Sequence, residues 1–135
     1  MVEDKVGIKE YLGIKINYSN ERNLDKFSLD TLKDRYLWTK INEQGEVEVN
    51  ETHAQEAFAR ASVFGATYKG VTDFDLAQRL YHYSSSCWFM FSTPILSNGG
   101  TSRGLPISCF LNYVPDSRGG LSDHYDENIW LASSG

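Results

Sequence analysis

Two consecutive stretches with apolar residues at helical spacing, followed by a loss of helical character after residue 92, constrain this 135-residue chain more than any other feature. The first opens at Thr52-His53-Ala54-Gln55, which has the form of a capping box, and carries Ala54, Ala57, Phe58, Ala61 and Phe64 on one face before Gly65 ends the run. The second opens at Thr72-Asp73-Phe74-Asp75 and aligns Phe74, Ala77, Leu80, Tyr81, Ser84 and Trp88 on one stripe. Two amphipathic helices joined by a short Gly-containing loop bury their stripes against each other, which predicts an antiparallel helical pair.

Beyond Ser92 the pattern changes. Pro94, Asn98-Gly99-Gly100 and Gly104 argue against a helix, and the apolar run Ile107 to Val114 reads as a strand buried on both faces. A turn at Pro115-Asp116-Ser117-Arg118-Gly119-Gly120 leads to a helix over Leu121 to Ala132, with Ser122 or Asp123 near its start. The first fifty residues are polar and irregular, with one helix expected from Ser28 to Trp38. There Ser28 can cap, and Leu29, Leu32, Tyr36 and Leu37 recur at helical spacing. Thr39 to Glu51 reads as a connecting turn and a short extended piece.

Composition narrows the function classes. A hydrophobic fraction of 41% and an aromatic fraction of 13% suit a packed globular fold, and the length suits one ordinary domain, short for an enzyme with several ligand sites. Thirteen basic against eighteen acidic residues give a formal charge of −5 with no basic cluster, which argues against a nucleic-acid partner. The run Cys87-Trp88-Phe89-Met90-Phe91 is far too short to span a membrane, and Met1 to Lys9 lacks a signal-peptide core. A cytoplasmic location is expected, in the host cytoplasm if the gene is viral. Only Cys87 and Cys109 carry thiols, with no Cys-x-x-Cys, and His53, His82 and His124 share no ligand spacing with them, so no metal site is expected. Cys87, beside Trp88 and Phe89 late in an expected helix, reads as core packing.

The segment Phe91-Ser92-Thr93-Pro94-Ile95-Leu96-Ser97-Asn98-Gly99-Gly100, followed by Leu105-Pro106-Ile107-Ser108-Cys109-Phe110-Leu111, puts a small-polar, Gly-rich loop just before a thiol on an apolar run. It resembles the opening of the catalytic barrel in the large (alpha) subunit of ribonucleotide reductase. The resemblance extends from about Ala57 to Gly135 and is densest between Trp88 and Asp116. It implies a mainly α fragment: an N-terminal helical domain over 1–90 without the family's ATP cone, then over 91–135 the truncated start of a ten-stranded α/β barrel. The resemblance points to a class I enzyme of phage-like or split origin, the N-terminal piece of a large subunit from a gene interrupted by a mobile element. Ser133-Ser134-Gly135 would fall inside the family's Gly-rich loop that links effector and substrate sites.

The resemblance also assigns residues. Thr93 matches a threonine that helps bind the substrate phosphate, Ser108 a serine of the substrate site, and Cys109 one of two redox-active thiols beside the substrate. Asp116 matches an aspartate of the allosteric specificity site, with Ser117 offering a second polar group there. Taken alone, Thr93 would be a turn residue before Pro94, Cys109 a small buried hydrophobe and Asp116 a turn aspartate. As a strand, Ile107, Cys109, Leu111 and Tyr113 would face one way and Ser108, Phe110, Asn112 and Val114 the other.

The implied activity is conversion of ribonucleotides to deoxyribonucleotides by thiyl-radical chemistry with a redox cysteine pair, by an assembly of which this chain is one part. No cofactor is expected on the chain itself. A metal-containing small subunit would supply the radical, thioredoxin or glutaredoxin the electrons, and a dNTP or ATP the specificity signal. The partners would be the C-terminal part of the large subunit, the small subunit, the ribonucleotide and a second completed large subunit in a homodimer. Two other readings stay open: a noncatalytic nucleotide-binding or assembly relic, and a cobalamin-dependent class II reductase.

Overall fold

In the computed structural model, which describes residues 6–41, 44 and 47–134, Leu12 and Gly13 both take positive φ (51° and 80°) and fold strand β1 (Ile8–Tyr11) back on β2 (Ile14–Asn17). Two successive left-handed residues twist the way a two-residue hairpin requires. The pairing is antiparallel, Tyr11 opposite Ile14 and Ile8 opposite Asn17. Alternation then sends Ile14 and Ile16 into the core, 2% and 0% exposed, and leaves Lys15 outside. This hairpin falls in a region expected to be irregular. Its signal was the Leu12-Gly13 turn followed by Ile-x-Ile.

A 3₁₀ segment over Tyr18–Asn23 leads to helix α1 (Lys26–Arg35). Its cap is Asp25, whose carboxylate accepts the Ser28 backbone N–H at 2.7 Å, so the helix starts earlier than Ser28 and Ser28 lies within its first turn. The helix stops at Arg35. Strands β3 (Thr39–Ile41) and β4 (Val47–Val49) form a small antiparallel pair where a turn and one extended piece were expected.

Helix α2 (Ala54–Gly65) is the axis of the fold. Its capping box is His53 with Glu56, one residue later than the Thr52–Gln55 pattern. The Glu56 carboxylate accepts the backbone N–H groups of Thr52 (2.7 Å) and His53 (3.2 Å), and Glu21 accepts that of Ala54 (2.7 Å). The expected one-sided stripe is an underestimate, because every residue from Ala54 to Ser62 is buried. Alanines at 54, 57, 59 and 61 let neighbouring elements approach closely, and Phe58, 1% exposed, fills the centre. Burying that ring contributes about 1.5–3 kcal/mol. Phe64, read as part of the stripe, is 36% exposed.

Helix α3 (Phe74–Ser85) follows a tight hairpin of β5 (Thr67–Tyr68) and β6 (Val71–Thr72), turned by Lys69 and Gly70 at φ 49° and 79°. Asp73 caps it by accepting the Leu76 N–H at 2.9 Å. Tyr81, late in α3, donates to Gln55 Oε1 in the first turn of α2 (2.8 Å), as an antiparallel pair requires. The same helix seals the free edge of β2: the Gln78 amide exchanges two hydrogen bonds with the Lys15 backbone (2.8 and 2.9 Å), and the Tyr81 hydroxyl accepts the Asn17 N–H (2.7 Å).

The α3 stripe ends before Trp88. Cys87 takes φ 61°, with Cys87 N–H bonded to Ser84 O (3.0 Å) and Trp88 N–H to Tyr83 O (2.9 Å). That is a Schellman termination with cysteine in the place usually held by glycine, and the Tyr83 and Trp88 rings meet at 6.0 Å across it. Cys87 is exposed, so its reading as core packing is overturned, and Trp88 is 79% exposed.

Three further expectations after residue 92 change. Pro94 does not prevent a helix, since α4 (Thr93–Asn98) forms with Pro94 in its first turn, where a missing N–H is harmless. Ile107 to Val114 has no regular secondary structure and is not buried on both faces: Ile107, Leu111 and Tyr113 are 52%, 100% and 81% exposed. A doubly buried strand needs a ladder on each side and a layer on each face, and the described residues supply neither. Helix α5 (Arg118–Ser134) starts three residues before Leu121 and runs through both glycines of the expected turn. Ser117 caps it by accepting the Gly120 N–H at 3.0 Å, and a Cβ on Gly120 would lie 2.5–2.8 Å from the Pro115 ring. The mainly α character holds, and no helix among the described residues is long and apolar enough to cross a membrane.

Candidate functional site

Helix α4 and the loop behind it are held by a buried ion pair that the sequence pattern did not single out. The Arg60 guanidinium, on α2, donates from Nε to Glu51 Oε1 (2.6 Å) and from Nη2 to Glu51 Oε2 (3.1 Å), with side chains 3% and 0% exposed. Its remaining donors reach the carbonyls of Gly99 (2.7 Å), Leu96 (2.9 Å) and Tyr36 (3.2 Å). Glu51 Oε2 also accepts the Trp38 N–H at 2.8 Å. One guanidinium therefore ties α2 to the end of α1 and to the C-terminal end of α4. A buried pair persists when hydrogen bonds replace the lost water, as they do here.

Glycine makes the approach possible. A Cβ on Gly99 would sit 2.6 Å from the Ile95 carbonyl and 2.7 Å from the Phe64 ring, and Gly100, at φ 73°, passes over the Arg60 stem. Arg103 closes the loop from the other side, donating to Leu37 O (2.7 Å) and Thr39 Oγ1 (3.2 Å). Asn98 reaches across to Leu105 O at 2.8 Å. The Asn-Gly-Gly sequence thus builds a loop fastened to the 36–39 strip by two arginines.

Thr93 opens α4 and is exposed. Its hydroxyl lies 3.3 Å from the Tyr36 hydroxyl, and its carbonyl accepts from Ser97 Oγ (2.8 Å). Ser108 and Cys109 are exposed, and Cys87 and Cys109 are both free thiols. The expected period-two division is not seen: Phe110 and Asn112 are half-buried, but Ser108 and Val114 of the same expected face are exposed along with Ile107, Cys109, Leu111 and Tyr113. Ser108 and Phe110 line one groove with Asn128, Leu131 and Ala132 of α5, and Leu111 to Tyr113 line a second with Gly120, His124 and Glu127. Asn112 Nδ2 and His124 Nδ1, both in that second groove, are buried without a hydrogen-bond partner.

Asp116 is exposed in the bend before α5, and Ser117 is the α5 cap. Among the described residues, no hydrogen bond or ion pair joins Thr93, Ser108, Cys109, Asp116 and Ser117 to one another, so the chain displays them along one continuous stretch without assembling them into a closed pocket. The residues missed by sequence reasoning are Glu51, Arg60, Tyr36 and Arg103. An arginine one position before Ala61 on an alanine-rich helix was the available signal for Arg60.

The body is mainly helical, with a buried arginine clamped to a Gly-Gly loop and an exposed Ser-Cys dipeptide beyond it, and its sequence matches that of ribonucleotide reductases. The chain belongs to this family: residues 22–104 match the model described as ribonucleotide reductase, all-alpha domain. It is 38% identical over 122 residues to the ribonucleoside-diphosphate reductase large subunit of Invertebrate iridescent virus 6, and 40% identical over 122 residues to that of Invertebrate iridescent virus 3. Each match covers 90% of this chain but only 11% and 17% of the relative. A putative large subunit of Frog virus 3 is 51% identical over 61 residues, 45% of this chain and 11% of its own length. No solved structure is matched.

Proposed function

We propose that this chain is the N-terminal part of a ribonucleoside-diphosphate reductase large subunit and works as one portion of a larger assembly. The observation that carries the reading is the match over 90% of the chain to two viral large subunits, which takes in the whole Thr93–Asp116 stretch. In this reading Thr93 and Ser108 contact the substrate, Thr93 at its phosphate. Cys109 is one member of the reducing pair, and Asp116 and Ser117 contribute to an effector site. The exposed thiol of Cys109 and the uncovered faces of Leu111 and Tyr113 suit a segment that the rest of the subunit covers.

The chemistry balances only with a second thiol. Two cysteine thiols give up two hydrogens, the 2′ hydroxyl leaves as water, the sugar carbon gains a hydrogen, and the sulfurs join in a disulfide. A disulfide partner must bring its Cα within about 4.4–6.8 Å, and in this reading the C-terminal part of the subunit provides that cysteine and the radical-bearing one. A metal-containing small subunit supplies the radical, and a dithiol protein resets the pair.

The test is reconstitution. Chain, C-terminal part, small subunit and dithiol reductant together should yield deoxyribonucleoside diphosphate, and the chain carrying Cys109→Ser should give no multiple turnover. Undiminished turnover by that variant would refute the redox role, and an inactive wild-type mixture would refute the assembly.

A further inference from the structure

We propose that Tyr36 is a positioning residue for the Thr93 hydroxyl, carrying the rigidity of the buried Arg60–Glu51 pair to the place where the substrate phosphate docks. The proposal rests on the reading of Thr93 as a phosphate contact. Three observations support it. Tyr36 is held by its own backbone, since its carbonyl accepts from Arg60 Nη2 at 3.2 Å and its N–H bonds to Leu32 O at 3.0 Å. The helix that bears Thr93 is held by the same guanidinium through Leu96 O and Gly99 O. The two hydroxyls, 57 residues apart in sequence, then meet at 3.3 Å.

That separation is informative. Two hydroxyls in a full hydrogen bond approach to about 2.7–2.8 Å. Either hydroxyl can donate across the 3.3 Å contact, and with Tyr36 as the donor the Thr93 hydroxyl accepts and keeps its own hydrogen for a phosphate oxygen. Hydrogen bonds of this kind in unliganded sites tighten when the ligand arrives. Arg60 holds the α4 backbone, whereas the exposed Thr93 hydroxyl itself is met by the Tyr36 hydroxyl, so Tyr36 is the side chain that orients it.

The experiment compares Tyr36→Phe, Thr93→Val and the double variant in the reconstituted reductase, reading KM for the ribonucleoside diphosphate and kcat separately. Tyr36→Phe keeps the ring and removes only the hydroxyl. It should raise KM roughly 3- to 10-fold, the span of one neutral hydrogen bond, with a smaller change in kcat. Thr93→Val should raise KM at least as far, and the double variant should be no worse than Thr93→Val alone. A KM within twofold of wild type for Tyr36→Phe, with Thr93→Val impaired, overturns the positioning role and leaves the phosphate reading standing. An unaltered KM for Thr93→Val overturns both. Independently of turnover, three-bond couplings at Thr93 in the isolated chain should show one χ1 rotamer in the wild type and averaging in Tyr36→Phe, and a single rotamer in both would also refute the idea.

Discussion

Removing either member of the Arg60–Glu51 pair should destabilise the chain more than any surface change, and the cost can be worked from the contacts. Glu51→Ala leaves a guanidinium whose side chain is 3% exposed with only the carbonyls of Tyr36, Leu96 and Gly99 as acceptors. Breaking a buried pair from one side costs about 3–5 kcal/mol, because the surviving charge stays buried. Arg60→Ala strands the Glu51 carboxylate and three carbonyls at once and should cost at least as much. A domain of this kind holds about 5–15 kcal/mol in all, so either variant loses a large share. Replacing both by apolar residues (Glu51→Met with Arg60→Leu) removes the stranded charge yet leaves the three carbonyls without a donor, so it should recover only part of the loss.

Equilibrium urea unfolding reads this directly when followed by tryptophan fluorescence with Trp88 and Trp130, both exposed, replaced by Phe so that Trp38 beside Glu51 is the reporter. At a slope of about 2 kcal/mol/M the single variants should lower the midpoint by about 1.5–2.5 M. The control is Asp34→Ala, which removes an ion pair of 3.7 Å between side chains 78% and 75% exposed and should shift stability by less than about 0.5 kcal/mol. Losses below about 1 kcal/mol for both Glu51→Ala and Arg60→Ala would refute the claim that this pair fastens α4 to α2.

Two other outcomes are expected. Cys87→Gly should stabilise the chain by about 0.5–1 kcal/mol, because relief of a left-handed non-glycine residue, about 1–2 kcal/mol, exceeds the added freedom of the unfolded chain, about 0.4–1 kcal/mol; a lower thermal midpoint would contradict the Schellman assignment. Burial first, then the Glu51 and Glu56 carboxylates, push Tyr11 up to about 12, and burial followed by the hydrogen bond to Glu56 raises Tyr18 as well. A folded value above the unfolded one means this stability is intact below the ordinary tyrosine value of about 10 and is lost as pH rises through the interval to about 12. Tyrosinate absorbance should therefore lag behind free tyrosine until the fold opens, and complete titration near the ordinary value with the helical signal intact would refute it.

How far the sequence could be read varied with the range of the interaction. Helices α1, α2 and α3 are legible because caps and apolar spacing act within a turn or two, although the capping residue lies one position from the expected one at His53 of α2 and three from it at Asp25 of α1. The β1–β2 hairpin is hidden in the sequence because Leu12 is an unusual residue at positive φ, and α4 because a proline, which breaks a helix interior, here sits in the first turn. The candidate residues Thr93, Ser108, Cys109, Asp116 and Ser117 came from motif resemblance, and spacing alone would have left each of them a turn or core residue.

Local chemistry written in the chain therefore determined the two central helices, their termini and the family to which they belong. Whether Arg60 would be solvated or buried, which backbone segments it would clasp, and whether Ile107 to Val114 would find strands to pair with depended on atoms far away in sequence. Such choices are made only when desolvation has to be offset by whatever partners the packed fold brings within reach. For Arg60 it brought a carboxylate and three carbonyls; for the apolar run after Pro106 the described residues bring no neighbouring strand.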